Sequence, residues 1–139
     1  VVDQGPVQAT PSYPQGPEIT SNDKTMGLLA YIIPPIGSAI ILLSESNKNR
    51  PFQRYHAMQA LGLLVVYILA AIIVSIGGMI LAAILHAIGS VVACCVNVVL
   101  PLAILAAAIY CAVQAYQGKV FEIPYLSAFM IERGWLKRV

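Results

Sequence analysis

The chain has 139 residues, 59% of them hydrophobic and only 10% charged, with a net charge of +2. That length suits one domain, the charge is too slight to point to nucleic acid, and the charged fraction lies far below the roughly 25% of soluble globular domains. From Ala57 to Tyr116 the chain carries no Asp, Glu, Lys or Arg. A soluble helix needs a polar face, whereas a charge near the bilayer centre costs about 2.5–3.5 kcal/mol even on the mildest scale. The sequence therefore predicts an all-α, polytopic membrane protein.

Residues 1–24 read as a Pro/Gln-rich extramembrane tail. VVDQGPVQATPSYPQGPEITSND holds four prolines, three glutamines and no apolar periodicity, a composition that is extended or disordered unless a partner orders it. It lacks the basic and apolar regions of a secretory signal. The start at Val1 rather than Met points to residues upstream.

Residues 25–118 read as a transmembrane domain of three helices. The first span is expected over 26–43, near the lower length limit for a crossing, with Pro34 and Pro35 kinking it and the polar run SESNKNRP closing it. The second is expected over 58–85 and the third over 98–117. His86, Gly89, Ser90 and Asn97 would form the turn between them, while Gly77-Gly78 is a thin place within a long helix. Charge placement selects three crossings. Lys48, Arg50 and Arg54 follow the first span and Lys119, Arg133, Lys137 and Arg138 follow the last, so three crossings gather seven of the eight positive residues on one side. Positive residues concentrate in cytoplasmic loops. The expected orientation has the N-terminus outside and the C-terminus in the cytoplasm, in the inner (plasma) membrane of a bacterium. Residues 119–139 then form a cytoplasmic interfacial segment. Its helix would start near Pro124, with Leu126, Phe129, Met130 and Arg133 on one face and Tyr125 and Trp135 at the headgroups.

No catalytic constellation is visible. The spans hold no carboxylate, and His56 and His86 would sit at opposite ends of one helix, ~45 Å apart. Cys94, Cys95 and Cys111 have no zinc-type spacing and read as small hydrophobes. No cofactor or metal is expected. Two features stand out instead. Arg54, Tyr55, His56 and Gln59 cluster where the second span meets the cytoplasmic border. Ala103, Ala107, Cys111 and Ala115 recur every four residues on the third span, and Gly78 and Ala82 do so on the second. Such rows let membrane helices approach closely.

PFQRYHAMQAL, together with KTMGLLAYIIP and the ending AIYCAVQAYQGKVFEIPYL, resembles segments of the Tic-twenty-like family. Those are small integral membrane proteins related to a chloroplast inner-envelope import component. The resemblance implies a protein-translocation role, and a plastid envelope or thylakoid membrane as the alternative location; it supplies no catalytic residue. The residues themselves favour a non-catalytic accessory or structural subunit of a larger membrane complex, bioenergetic or translocating. Its partners would be the lipid bilayer and other integral membrane subunits. The absence of intramembrane charge disfavours a transporter or membrane enzyme.

Overall fold

The computed structural model describes residues 18–137. The expected order or disorder of the tail over residues 1–17 lies outside it, as do Arg138 and Val139. Its helices are α1 (Ser21–Ile32), α2 (Ile36–Leu43), α3 (Pro51–Tyr116) and α4 (Leu126–Glu132), and no strand occurs among the described residues.

α1 starts earlier than the hydrophobic run because Thr20 caps it. The Thr20 hydroxyl accepts from the Asp23 amide and the Asp23 carboxylate accepts from the Thr20 amide at 2.8 Å, a reciprocal arrangement that satisfies two otherwise orphaned donors. The helix stops at Pro34-Pro35, where backbone donors are missing. α2 then folds back on α1 so closely that a Cβ at Gly37 would overlap the Leu29 carbonyl. The buried side chain of Ile41 packs with Ala30 and Tyr31. At the far end of α2 the turn through Ser44–Arg50 returns the chain to its starting point, where Arg50 pairs with Asp23.

This pairing corrects the expected first span. Asp23 and Arg50 were expected on opposite faces of a bilayer, yet their side chains touch, which no segment crossing ~30 Å of hydrocarbon permits. The stretch 26–43 is a helical hairpin broken at its prolines. Three transmembrane helices are therefore not supported, and one helix, α3, is long and apolar enough to cross a membrane.

α3 is itself two helices meeting at His86, whose backbone (φ 48°, ψ −120°) is not helical. The arms 51–85 and 87–116 lie side by side. A Cβ on Gly78 would come 3.0 Å from Ala93 Cβ, and one on Gly89 would overlap the Leu81 carbonyl. Further down, Ala57 and Ala60 share a core with Cys111, Ala112 and Ala115. The turn is thus at His86 alone, and the expected start of the second arm at residue 98 is too late. Gly89 is where the arms touch, while Ser90 and Asn97 bond the carbonyls of His86 and Ala93 in their own helix at 3.0 and 2.8 Å. Gly89→Val should force the arms apart at this tip, read as a longer distance between spin labels at Ser75 and Val96. Gly77→Val, at a position with nothing within 4 Å, should leave that distance unchanged.

The outer surface of the hairpin is mostly apolar, with Ser75, His86, Ser90 and Asn97 among its exposed polar residues. Ile73, Met79, Ile84, Ile88, Val91 and Val99 are each more than 60% exposed, and none of the most apolar stretch of α3 is buried inside the molecule. A buried core helix of a soluble protein would not look like this, because its apolar face would be covered.

At the other end, α3 terminates in a turn that only glycine takes without strain. Gly118 has φ 76°, and the Lys119 amide reaches the Gln114 carbonyl at 3.0 Å, the pattern of a glycine-terminated helix. The chain thereby doubles back under the start of α3. Lys24 lies against the same glycine, so the described N-terminal residues and the 117–121 connector share one end of the molecule. The expected placement of the two termini on opposite faces is corrected with the first span. α4 packs Met130 against Gly62, whose absent Cβ would lie 2.6 Å from the Met130 sulfur. Of the face expected for this helix, Met130 is buried and Leu126 half-buried. Phe129 and Arg133 turn outward, with the Arg133 guanidinium 5.1 Å over the Phe129 ring.

Candidate functional site: a polar core at the base of the hairpin

An apolar hairpin of this kind needs something to fix its base, and the base is where the buried polar side chains collect. Asp23, Gln53, His56, Gln59 and Ser127 are each no more than 1% exposed. The first turns of α3 supply three of them at helical spacing, Gln53, His56 and Gln59, so that one face carries them all.

Gln59 is the hub. Its amide nitrogen donates to the Phe121 carbonyl and to the Ser127 hydroxyl oxygen, both at 2.8 Å, and its Oε1 accepts from the Tyr31 hydroxyl. One side chain thereby ties α1, α3, the connector and α4 together. His56 continues the network, with Nδ1 3.1 Å from the Tyr31 oxygen and Nε2 3.2 Å from the Lys119 carbonyl. A neutral imidazole has one N–H, which Nε2 donates to the Lys119 carbonyl, so Nδ1 is an acceptor and shares the Tyr31 hydroxyl hydrogen with Gln59 Oε1. The rings of Phe52 and Tyr55 stand edge-on to the imidazole at 4.5 and 5.5 Å, and the Tyr55 hydroxyl donates to the Phe121 carbonyl at 3.0 Å. Ser127 also accepts from the Ile123 amide at 2.8 Å, which fixes the start of α4.

A second cluster lies one turn outward. The Asp23 carboxylate accepts from the Arg50 guanidinium through both oxygens and from Gln53 Nε2 at 2.7 Å. Burial disfavours its charge, but the hydrogen bonds from Arg50, the Thr20 amide, Gln53 and the Thr20 hydroxyl outweigh burial and hold its pKa at about 2, against an ordinary 3.8. Two buried polar atoms, Ser38 Oγ and Gln53 Oε1, have no partner.

The residues singled out in the sequence separate here. Tyr55, His56 and Gln59 belong to the polar core, while Arg54 points outward to solvent on the opposite side of α3. Of the packing rows, Cys111 and Ala115 are buried, with Ala115 Cβ 3.1 Å from where a Gly27 Cβ would stand. Gly78 and Ala82 line the seam between the arms, and Ala103 and Ala107 face progressively outward. Sequence reasoning passed over Asp23, Gln53, Tyr31 and Ser127. The Thr20-x-x-Asp23 box was a readable signal for the first; the others are defined by contacts across the fold. His86 stands at the far tip, and no three His, Cys, Asp or Glu side chains among the described residues are grouped to hold a metal ion. The bonds made by Gln59, His56, Tyr55 and the Asp23 carboxylate to Arg50 and Gln53 join separate elements, which suits a structural lock.

The chain belongs to the MamF/MmsF family, the magnetosome magnetite crystal formation proteins, whose sequence model matches residues 22–130. This overturns the resemblance to Tic-twenty-like proteins; the import role and the plastid location rested on that resemblance and have no other support. The RYHAMQAL segment that carried that resemblance lies inside the matched region, where its buried residues close the base of the hairpin. Neither a curated protein nor a solved structure matches the chain.

Proposed function

Starting from that family membership, we propose that the protein is a non-catalytic structural component of the magnetosome membrane. It acts in magnetite crystal formation by organising the membrane and its neighbouring subunits. The observation that carries this reading is the division of the molecule. Its buried polar side chains, apart from Ser38, lock the base, and what it presents outward along α3 is a mostly apolar double helix.

The two arms of α3 cross the bilayer together. From Gln59 to Leu85 an arm rises ~39 Å, close to the ~40–45 Å of a bilayer with its headgroups. Lys24, Lys48, Arg50, Arg54, Lys119, Arg133 and Lys137 all lie on elements at the base, which supports the cytoplasmic face for that end. The tip at His86 then faces the compartment in which the crystal grows. On the second arm, outward-facing Ala103 and Ala107 offer a close approach to a neighbouring transmembrane helix.

The test uses cells that form magnetosomes and lack this gene, complemented with the wild-type chain or with Ala103→Leu/Ala107→Leu. Both proteins should insert equally, since Leu favours insertion. The double variant should leave its native assembly in mild detergent and give crystals of altered size. Wild-type crystals from a variant that migrates as a monomer would refute the subunit role.

A further inference from the structure

Beside the polar core, on the outer side of α3, two cavities adjoin through shared wall residues. The first, about 380 Å³, opens at the base and has Lys48, Arg54 and Lys137 in its wall. Among the described residues no acidic side chain lines it; Lys48 pairs at 2.8 Å with Glu45, whose side chain is 92% exposed. The second, about 300 Å³, is lined only by apolar side chains and Gly62, and follows α3 from Met58 to Leu69 under the edge of α4, ~16 Å along the helix. Met58 and Trp135 belong to both walls. A cationic chamber thus adjoins an apolar groove, with the indole between them.

We propose that this composite cavity is a binding site for one anionic phospholipid, with the phosphate headgroup among Arg54, Lys137 and Lys48 and an acyl chain in the groove below Trp135. Charge complementarity selects the occupant. A zwitterionic headgroup would bring an ammonium into a chamber whose side-chain charges are all positive, and a free phosphate ester would leave the groove unfilled. Trp135 marks the level at which headgroup gives way to chain, the depth tryptophan favours in bilayers. The chain gets its reach from the turn after α4, where Gly134 (φ 73°) sends Trp135 and Leu136 back against the Met130 carbonyl. Basic pockets between membrane elements on the cytoplasmic side suit such headgroups. The site rests on the base of the hairpin lying at a membrane surface.

Trp135 is the sole tryptophan, so its fluorescence reports the site without labelling. The full chain is reconstituted in phosphatidylcholine vesicles carrying a small, equal fraction of either brominated phosphatidylglycerol or brominated phosphatidylcholine. The brominated anionic lipid should be enriched at Trp135 on the order of 30- to 150-fold, the scale set by two or three cations at a lipid phosphate. Arg54→Gln/Lys137→Gln, at exposed positions that the polar core does not use, should abolish the preference while leaving quenching by the zwitterionic lipid intact. Soluble glycerol phosphate should not compete. Equal quenching by both lipids in the wild-type chain would overturn the site while leaving the membrane placement standing. Quenching by neither would overturn both, and displacement by glycerol phosphate would make a soluble phosphate ester the ligand and overturn the lipid assignment.

Discussion

Gln59→Leu should be the most damaging single substitution in the polar core. Leucine fills the volume but removes three hydrogen bonds, to Tyr31, Phe121 and Ser127, that join four parts of the chain. At ~1 kcal/mol each the direct loss is roughly 3 kcal/mol, a large share of a small domain's stability. Tyr31 loses its acceptor, and α4 loses one of the bonds that hold its first turn. The expected observations are a lower unfolding midpoint in detergent and faster proteolysis between Gly118 and Tyr125. Gln59→Glu should not rescue, because a carboxylate oxygen would replace the donor that faces the Phe121 carbonyl. Wild-type resistance in Gln59→Leu would show that Gln59 is not the hub.

Asp23→Ala should come next. It removes the counter-charge of Arg50, the acceptor of Gln53 Nε2 and half of the α1 capping box. The cost should be about 2–3 kcal/mol, somewhat below that of breaking a fully buried pair, since the Arg50 side chain keeps 29% exposure. The sign of the pH dependence follows from the lowered pKa. A carboxyl at about 2 in the fold against 3.8 when unfolded stabilises fully above the higher value and loses that contribution as pH falls through the lower one. The unfolding midpoint of the wild-type chain should therefore drop more steeply below about pH 4 than that of Asp23→Ala. Parallel acid profiles would mean that the carboxylate is not held by this pairing.

How much of this could be read from the sequence depends on the range of the interaction. The run without charge from Ala57 to Tyr116 announced an apolar helical stretch fit for a membrane, and the polar residues from His86 onward marked where it turns. Ser90 and Asn97 misled because polar residues near a turn suggest loop, whereas here each bonds a carbonyl four residues back in its own helix. Residues 26–43 misled for a deeper reason. A helix that kinks at Pro34-Pro35 and crosses has the same hydropathy as one that breaks there and folds back. What separates the two is the contact between Asp23 and Arg50, twenty-seven residues apart, and the absent Cβ of Gly37 against Leu29. At the candidate site the helical spacing of His56 and Gln59 was legible. Their partners at Lys119 and Phe121 were not, because a backbone carbonyl leaves no mark on residue type, and it is the Gly118 turn that delivers both carbonyls.

The proposed membrane placement, with α1 and α2 folded back on each other, puts the whole described base on one side of the bilayer, and its accessibility can be measured directly. With Cys94, Cys95 and Cys111 replaced by Ala, single cysteines are introduced as Ser21→Cys, Asn47→Cys, His86→Cys and Lys119→Cys. Each is exposed in sealed vesicles to a membrane-impermeant maleimide. Positions 21, 47 and 119 should label from one face and position 86 from the other. Labelling of positions 21 and 47 from opposite faces would mean that the first hairpin crosses the bilayer, and would contradict the fold described here.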